Sequence, residues 1–270
     1  MSSSLRCLDL LQILAREPYA FSLSEIADSL SVAKSSAHRF LATLIAGGFA
    51  EQDFASRRYQ LAGTALWVGT AYLRRSMIYR CGYGVVDDLA RRAKTMAHLA
   101  VWDYDTVLYL HSIGPPRSLN LFADTGERRA VHATALGKVM LAHRPTVDLK
   151  KIFAQDRERY TENTITSFAA MAEELEHIRA AGYAVDREEG TRGVRCVAAG
   201  IRDQAERVAA AISVSGPRVL ISRTAVPHFA RLAQEAALRI SIQLGYRPPT
   251  SNLSSLLTPI VPDDDIALVD

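Results

Sequence analysis

The chain has 270 residues, 49% of them hydrophobic, and carries 32 Lys and Arg against 29 Asp and Glu for a formal net charge of +3. This length and composition can bury a sizeable core in one small and one medium domain, which excludes a disordered chain. So modest a charge excludes a generic polyanion binder, and any nucleic-acid contact must be local. Cys7, Cys81 and Cys196 show neither metal-ligand spacing nor an even framework, and no signal segment or run of about 18 apolar residues occurs. A cytoplasmic protein is expected, with no cofactor, no metal and no membrane span.

Leu5, Leu8, Leu11, Ile13 and Leu14 predict a first amphipathic helix that ends before Pro18. Ser22 and Glu25 have capping-box spacing ahead of Ile26, Ala27 and Leu30, and a turn at Ser31 and Val32 leads into a second helical pattern. That pattern has two faces. Ala37, Phe40, Leu41, Leu44 and Ile45 form the stripe expected to be buried, while Lys34, Ser35, Ser36, His38 and Arg39 crowd polar side chains into the first two turns. A short helix, a tight turn and a helix with a polar start make a helix-turn-helix, and such a face can read base edges in a major groove. Residues 49–61 alternate enough for a small hairpin, a wing whose tip would carry Arg57 and Arg58. Residues 1–62 balance six cations against six acids, so bulk charge is silent. The placement of Lys34, Arg39, Arg57 and Arg58 carries the argument for DNA instead. A small helical core with a merely solvated polar face is the competing reading.

Residues 63–77 read as a linker helix, with Trp67 and Tyr72 seeking burial that a partner chain could supply. Residues 78–246 form a second, α+β domain. Val85, Val86, Leu89 and Ala93 mark a helix; 98–102 and 106–111 two strands; 119–122 a third; and 132–141 a strand exit and helix with Thr134 as candidate N-cap. Phe168, Met171, Leu175 and Ile178 give a helix closed by Gly182. Strands at 183–186, 194–202 and 208–215 and a helix at 226–244 complete the domain, and 247–270, with four prolines, is expected to be a mobile tail.

Several separated segments resemble the IclR family of bacterial transcriptional regulators: Leu23 to Ala27, Lys34 to Arg39, Tyr59 to Leu61, His132 to Lys138, Gly182 to Asp186, Gly193 to Ala199 and Ile212 to Pro217. The resemblance covers most of residues 5–246. It implies an N-terminal winged helix-turn-helix, a linker helix and a C-terminal GAF-like effector domain, an antiparallel sheet with flanking helices. It also implies a dimer or dimer of dimers on operator DNA. Family members sense small organic acids, and the matching positions are Ala135, Leu136, Asp186, Cys196, Ser213 and Ser215. The chemistry of these residues is compatible: amides at a helix start bind carboxylates, and serines two apart on a strand present both hydroxyls to one side. Read by themselves, the serines could be locally satisfied, Cys196 a small buried hydrophobe, and His98, His111 and His132 core imidazoles. Two other functions stay open: an enzyme using Cys196 as nucleophile with Asp186 and a histidine assisting, and a DNA-bound oligomerisation protein without a ligand.

Overall fold

A computed structural model describes residues 2–16, 19–115 and 125–249. The strand expected at 119–122 and nearly all of the expected tail lie outside the described residues. The chain divides into two compact units, Met1–Ser76 and Met77–Asp270.

In the first unit, helices α1 (Ser3–Leu14), α2 (Leu23–Leu30) and α3 (Lys34–Ala46) precede a two-stranded antiparallel hairpin, β1 (Ala50–Gln52) and β2 (Tyr59–Leu61), and helix α4 (Gly63–Arg75). The start of α2 is fixed reciprocally: Ser22 Oγ accepts from the Glu25 amide, and Glu25 Oε2 accepts from the Ser22 amide. Ser31 ends α2 with a φ of 52°, the left-handed turn that swings the chain into α3. Leu10, Leu14, Ile26, Leu30, Ala37, Phe40, Leu41 and Leu44 interlock as the core beneath the hairpin. Ile45, expected among them, is 42% exposed. It lies about 80° around the helix from Ala37, at the edge of the stripe, where neither α1 nor α2 reaches.

The second unit opens with α5 (Met77–Ala93). Its strands are β3 (Met96–Asp103), β4 (Thr106–Ile113), β5 (Arg128–Ala130), β6 (Ala184–Arg187), β7 (Val194–Arg202) and β8 (Val208–Pro217). Among the described residues they form one antiparallel sheet in the order β5-β4-β3-β8-β7-β6. Helices α6 (Ala135–Leu141), α7 (Thr146–Ile152) and α8 (Phe168–Ala181) cover one face, where Leu136, Val139, Met140, Leu149, Met171 and Leu175 pack with Ala100, Val107, Ala198 and Ala211 of the sheet. On the other face lie α5 and α9 (Val226–Gln243), and α5 sits so close to the sheet that a Cβ on Gly82 would collide with Leu99 of β3. Gly182 closes α8 with a φ of 74°, donating its amide to the Ile178 carbonyl. No helix among the described residues is long and apolar enough to cross a membrane.

Candidate functional sites: a polar helix face and a cavity under α6

Sequence places the first site on α3. Lys34, Ser35, His38 and Arg39 are exposed and Ser36 is half-buried, so the two faces separate as the apolar spacing requires. The helix is preceded by Ala33, which offers no side-chain cap; the Ser36 amide donates to the Ala33 carbonyl at 2.9 Å, and the Lys34 and Ser35 amides have no intrahelical acceptor. The hairpin separates the two arginines expected at its tip. Its loop is closed by the Asp53 amide donating to the Arg58 carbonyl, and is stiffened by Asp53 Oδ1 accepting from Ser56 at 2.7 Å from the amide and 2.6 Å from the hydroxyl. Arg57 sits within that loop, exposed, with φ 59°. Arg58 stands at its base and turns inward: its Nε donates to the Ala20 carbonyl at 3.1 Å and its Nη2 pairs with Glu25 at 2.9 Å. The guanidinium thus ties the wing to the capping box of α2 instead of reaching outward.

Strand register builds the second site. Asp186 faces Cys196, and Cys196 faces Ser215; on the next rung Ala198 faces Ser213, and Ser213 faces His98. Residues two apart share a face, so these two rungs form a polar floor on the α6 side of the sheet. Thr134 fixes the roof, its hydroxyl accepting from the Gly137 amide at 3.0 Å, which leaves the Ala135 and Leu136 amides at the helix start without intrahelical acceptors. Between floor and roof lies a cavity of about 300 Å3, at the small end of ligand-binding pockets. Ala135, Leu136, Asp186, Cys196, Ser213 and Ser215 all line it.

Its electrostatics follow from burial. The Ser213 hydroxyl is buried and has no hydrogen-bond partner among the described residues. Asp186 accepts from the Glu189 amide at 2.6 Å. Burial first, and the Glu189 carboxylate second, push the Asp186 carboxyl from 3.8 up to about 7. Burial and Asp186 together push the Cys196 thiol well above its ordinary value. His98, held by Ser112 at 2.9 Å, is driven by burial down to about 3 and stays neutral. His132 donates to the Glu158 carbonyl at 2.9 Å, and His111 meets Asp87 at 2.8 Å.

Sequence reasoning missed Tyr109 of β4 and the charged pair Glu127 and Arg129, which also line the cavity. Tyr109 shares strand parity with buried Val107, which is a usable signal. Arg129 approaches Glu127 at 2.6 Å on a three-residue strand too short to show alternation.

Behind the cavity, Lys138 is completely buried. Its Nζ donates to Glu189 Oε1 at 2.6 Å, the Val185 carbonyl at 2.7 Å and Glu174 at 2.9 Å. Burial opposes ionisation of Glu174, but Lys138 and Arg187 hold its pKa below the ordinary value. Asn163 donates to the Arg187 carbonyl and Glu189 accepts from the Arg187 amide, so side chains occupy the outer edge of β6 where another strand could otherwise pair.

Comparison with known proteins agrees with this architecture. The domain described as "Bacterial transcriptional regulator IclR C-terminal" matches residues 70–242, and the "IclR helix-turn-helix domain" matches residues 4–53. The HTH-type transcriptional regulator BhcR of Paracoccus denitrificans is 38% identical over 90% of this chain and 87% of its own. The HTH-type transcriptional regulator KdgR of Escherichia coli is 32% identical over 91% and 94%. Among solved structures, the IclR of Thermotoga maritima superposes with a TM-score of 0.75 at 28% identity, covering 90% of this chain and 99% of that one. An IclR homolog from Microbacterium hydrocarbonoxydans complexed with 4-hydroxybenzoate shares the fold, with a TM-score of 0.78 at 24% identity and coverage of 90% and 99%. With both domains matched in order and relatives above 30% identity along most of its length, the chain belongs to the IclR family of bacterial transcriptional regulators.

Proposed function

We infer that this regulator binds operator DNA as a homo-oligomer and that a small organic acid in the cavity beneath α6 modulates its operator affinity. The observation that carries the effector reading is the buried hydroxyl of Ser213, a residue lining that cavity, which has no partner among the described residues. A buried donor without an acceptor costs about 1–3 kcal/mol, a cost that an incoming carboxylate removes. The open amides of Ala135 and Leu136 on the opposite wall add donors to the same space. The 4-hydroxybenzoate of the Microbacterium homolog is a carboxylate of this class.

Lys34, Ser35, Ser36, His38 and Arg39 of α3 supply the operator-reading face, with Arg57 as the wing's outward cation. The homo-oligomer is supported by α4, which buries no residue and leaves Leu66 71%, Trp67 67% and Tyr72 55% exposed. Nucleophilic chemistry at Cys196 is disfavoured, because its thiol is shifted away from the thiolate.

The test is Ser213→Ala with Ser215→Ala, titrated calorimetrically against a panel of small carboxylates and, separately, against operator DNA. Each lost hydrogen bond to a charged group costs about 1.5–3 kcal/mol, so the pair is expected to weaken the acid a hundredfold or more while ligand-free operator affinity stays near wild type. Wild-type affinity for the acid in the double variant would remove these positions from the site.

A further inference from the structure

Strand β5 adds a cation to the cavity under α6. Arg129 stands opposite Val107 in the pairing of β5 with β4, and Val107 packs on the α6 side of the sheet, so the register puts the Arg129 side chain on that side too. Arg129 lines the cavity. Arg128, the other Lys or Arg along the wall among the described residues, is taken by Asp103 at 2.7 Å. Burial is the main cause of the pKa shifts at His98, Tyr109 and Tyr160, downward for the imidazole and upward for the two phenols; the Arg129 cation adds to the first and opposes the other two. These three side chains line the cavity from β3, β4 and the segment before α8, so the guanidinium charge is felt on the cavity side from three directions.

The donors of Arg129 are only partly used. Nε is buried against Glu127 Oε1 at 2.6 Å, and neither Nη makes a hydrogen bond among the described residues. The side chain is 39% exposed while Nε is buried, so the Nη edge is the part that solvent reaches. A guanidinium carries five N–H donors in a planar fork that meets a carboxylate with two of them side by side. Glu127 already sets a carboxylate against this cation from within the chain. At 37% exposure such a pair contributes little, so Glu127 can keep Nε or turn to water when a ligand takes the Nη edge.

Sheet order relates this cation to the serine floor. Between Arg129 on β5 and Ser213 on β8 stand β4, with Tyr109, and β3, with His98; the two rings meet at 5.4 Å, and His98 lies directly opposite Ser213. Three strand spacings are about 14 Å between backbones, and the long Arg129 side chain spans part of that gap. At about 30 Å3 for each water in the liquid, a cavity of about 300 Å3 takes about ten non-hydrogen atoms. A monocarboxylate seated on the serines would leave the Arg129 edge to water. We propose that the effector is a short dicarboxylate, one carboxylate on the α6 amides and the serine floor and the other on the Nη edge of Arg129. This rests on the effector reading of the cavity and makes Arg129 the residue that selects a second negative charge.

The experiment titrates the full-length protein calorimetrically with straight-chain dicarboxylates of three to six carbons. Each is paired with the monocarboxylate of equal length and with its half-amide, which keeps the shape and loses one charge. One or more dicarboxylates are expected to bind saturably, one per chain, with monocarboxylate and half-amide about tenfold weaker or worse. Arg129→Gln should bring the dicarboxylate down to the affinity of its half-amide and leave the monocarboxylate as it was. Arg129→Lys, which keeps the charge but not the planar fork, should fall between, and it decides the matter if the Gln variant does not fold. Ser213→Ala with Ser215→Ala should weaken mono- and dicarboxylate alike, because the first carboxylate is common to both. The proposal is overturned, with the effector reading intact, if monocarboxylates bind as tightly as dicarboxylates, or if the preference survives Arg129→Gln or is undiminished in Arg129→Lys. Binding of no acid at all would overturn both.

Discussion

Asp186 brings a titration to the effector cavity near neutral pH. With its carboxyl pushed up to about 7, it is mostly neutral below that value and can donate to an effector carboxylate; above it, the ionised group repels the same ligand. Acid affinity is therefore expected to fall about tenfold between about pH 6 and about pH 8. Asp186→Asn, which stays neutral and keeps a donor, should flatten the profile. The sign for stability is the same: between 3.8 and about 7 the folded ligand-free chain holds a proton that the unfolded chain has lost, so this residue's contribution declines as pH rises through that window. Equal acid affinities across that pH range, measured by calorimetry, would show that Asp186 does not meet the ligand. At the wing, Arg57 is exposed and Arg58 is spent on Glu25 and Ala20. The two arginines look equivalent in sequence because alternation gives a hairpin but not which side chain folds back beneath it. Replacing both with alanine should lower the slope of log operator affinity against log salt by about one unit, for one lost phosphate contact. A loss near two units would mean that Arg58 leaves Glu25 when DNA binds.

At the scale of elements, what was legible followed periodicity and capping. The α3 stripe from Ala37 to Leu44, the Thr134 cap, the Gly182 terminus and the parity of Ser213 with Ser215 each depend on residues close in sequence, and each stands where local rules put it; Ile45, at the edge of the stripe, does not. Elements defined by distant partners were not legible. Strand β5, Arg-Arg-Ala, has no pattern of its own and exists through pairing with Thr106 to Leu108; α7 is two turns long, too short to establish a period. The cavity is a middle case. Its serines and Asp186 were found through family motifs, whereas Tyr109, Glu127 and Arg129 reach it through tertiary closure. Gly137 shows how tightly that closure is built. A Cβ there would overlap the Val131 carbonyl and Cα, in a turn pinned by the His132 bond to Glu158. Alanine ordinarily gains about 1 kcal/mol over glycine inside a helix. Here Gly137→Ala should instead cost about 1–3 kcal/mol through overpacking, read as a lower urea midpoint with unchanged slope. A variant as stable as wild type would mean that the 131–133 turn yields.

For the whole molecule, the two sites belong to different compact units, and their coupling is a thermodynamic quantity that needs no assumed path between them. If the acid changes operator affinity by some factor, operator DNA must change acid affinity by the same factor in the same direction. For a coupling of about 1–3 kcal/mol that factor lies between about 5 and about 150, within reach of calorimetry. The acid should therefore be titrated into the free protein and into the operator complex, and the ratio compared with the shift in operator affinity at saturating acid. Equality is expected for the wild type. In Ser213→Ala with Ser215→Ala, acid concentrations that saturate the wild type should leave operator affinity unshifted, because the mutant's cavity stays unfilled. An acid that binds free and operator-bound protein equally, yet shifts operator affinity, would violate linkage for a single site and point to a second molecule of ligand acting elsewhere. A population shift also requires the acid to distinguish two states of the protein, and Asp186 gives it a means. Protonated, it rewards a carboxylate only in the state that keeps the floor of Ser213 and Ser215 opposed to the α6 amides; ionised, it penalises that state. The coupling should therefore weaken as pH rises through about 7, alongside the affinity. Operator release or recruitment that persists unchanged at about pH 8, at acid concentrations saturating near pH 6, would separate the effector response from Asp186 and place the discriminating contact on the serines alone.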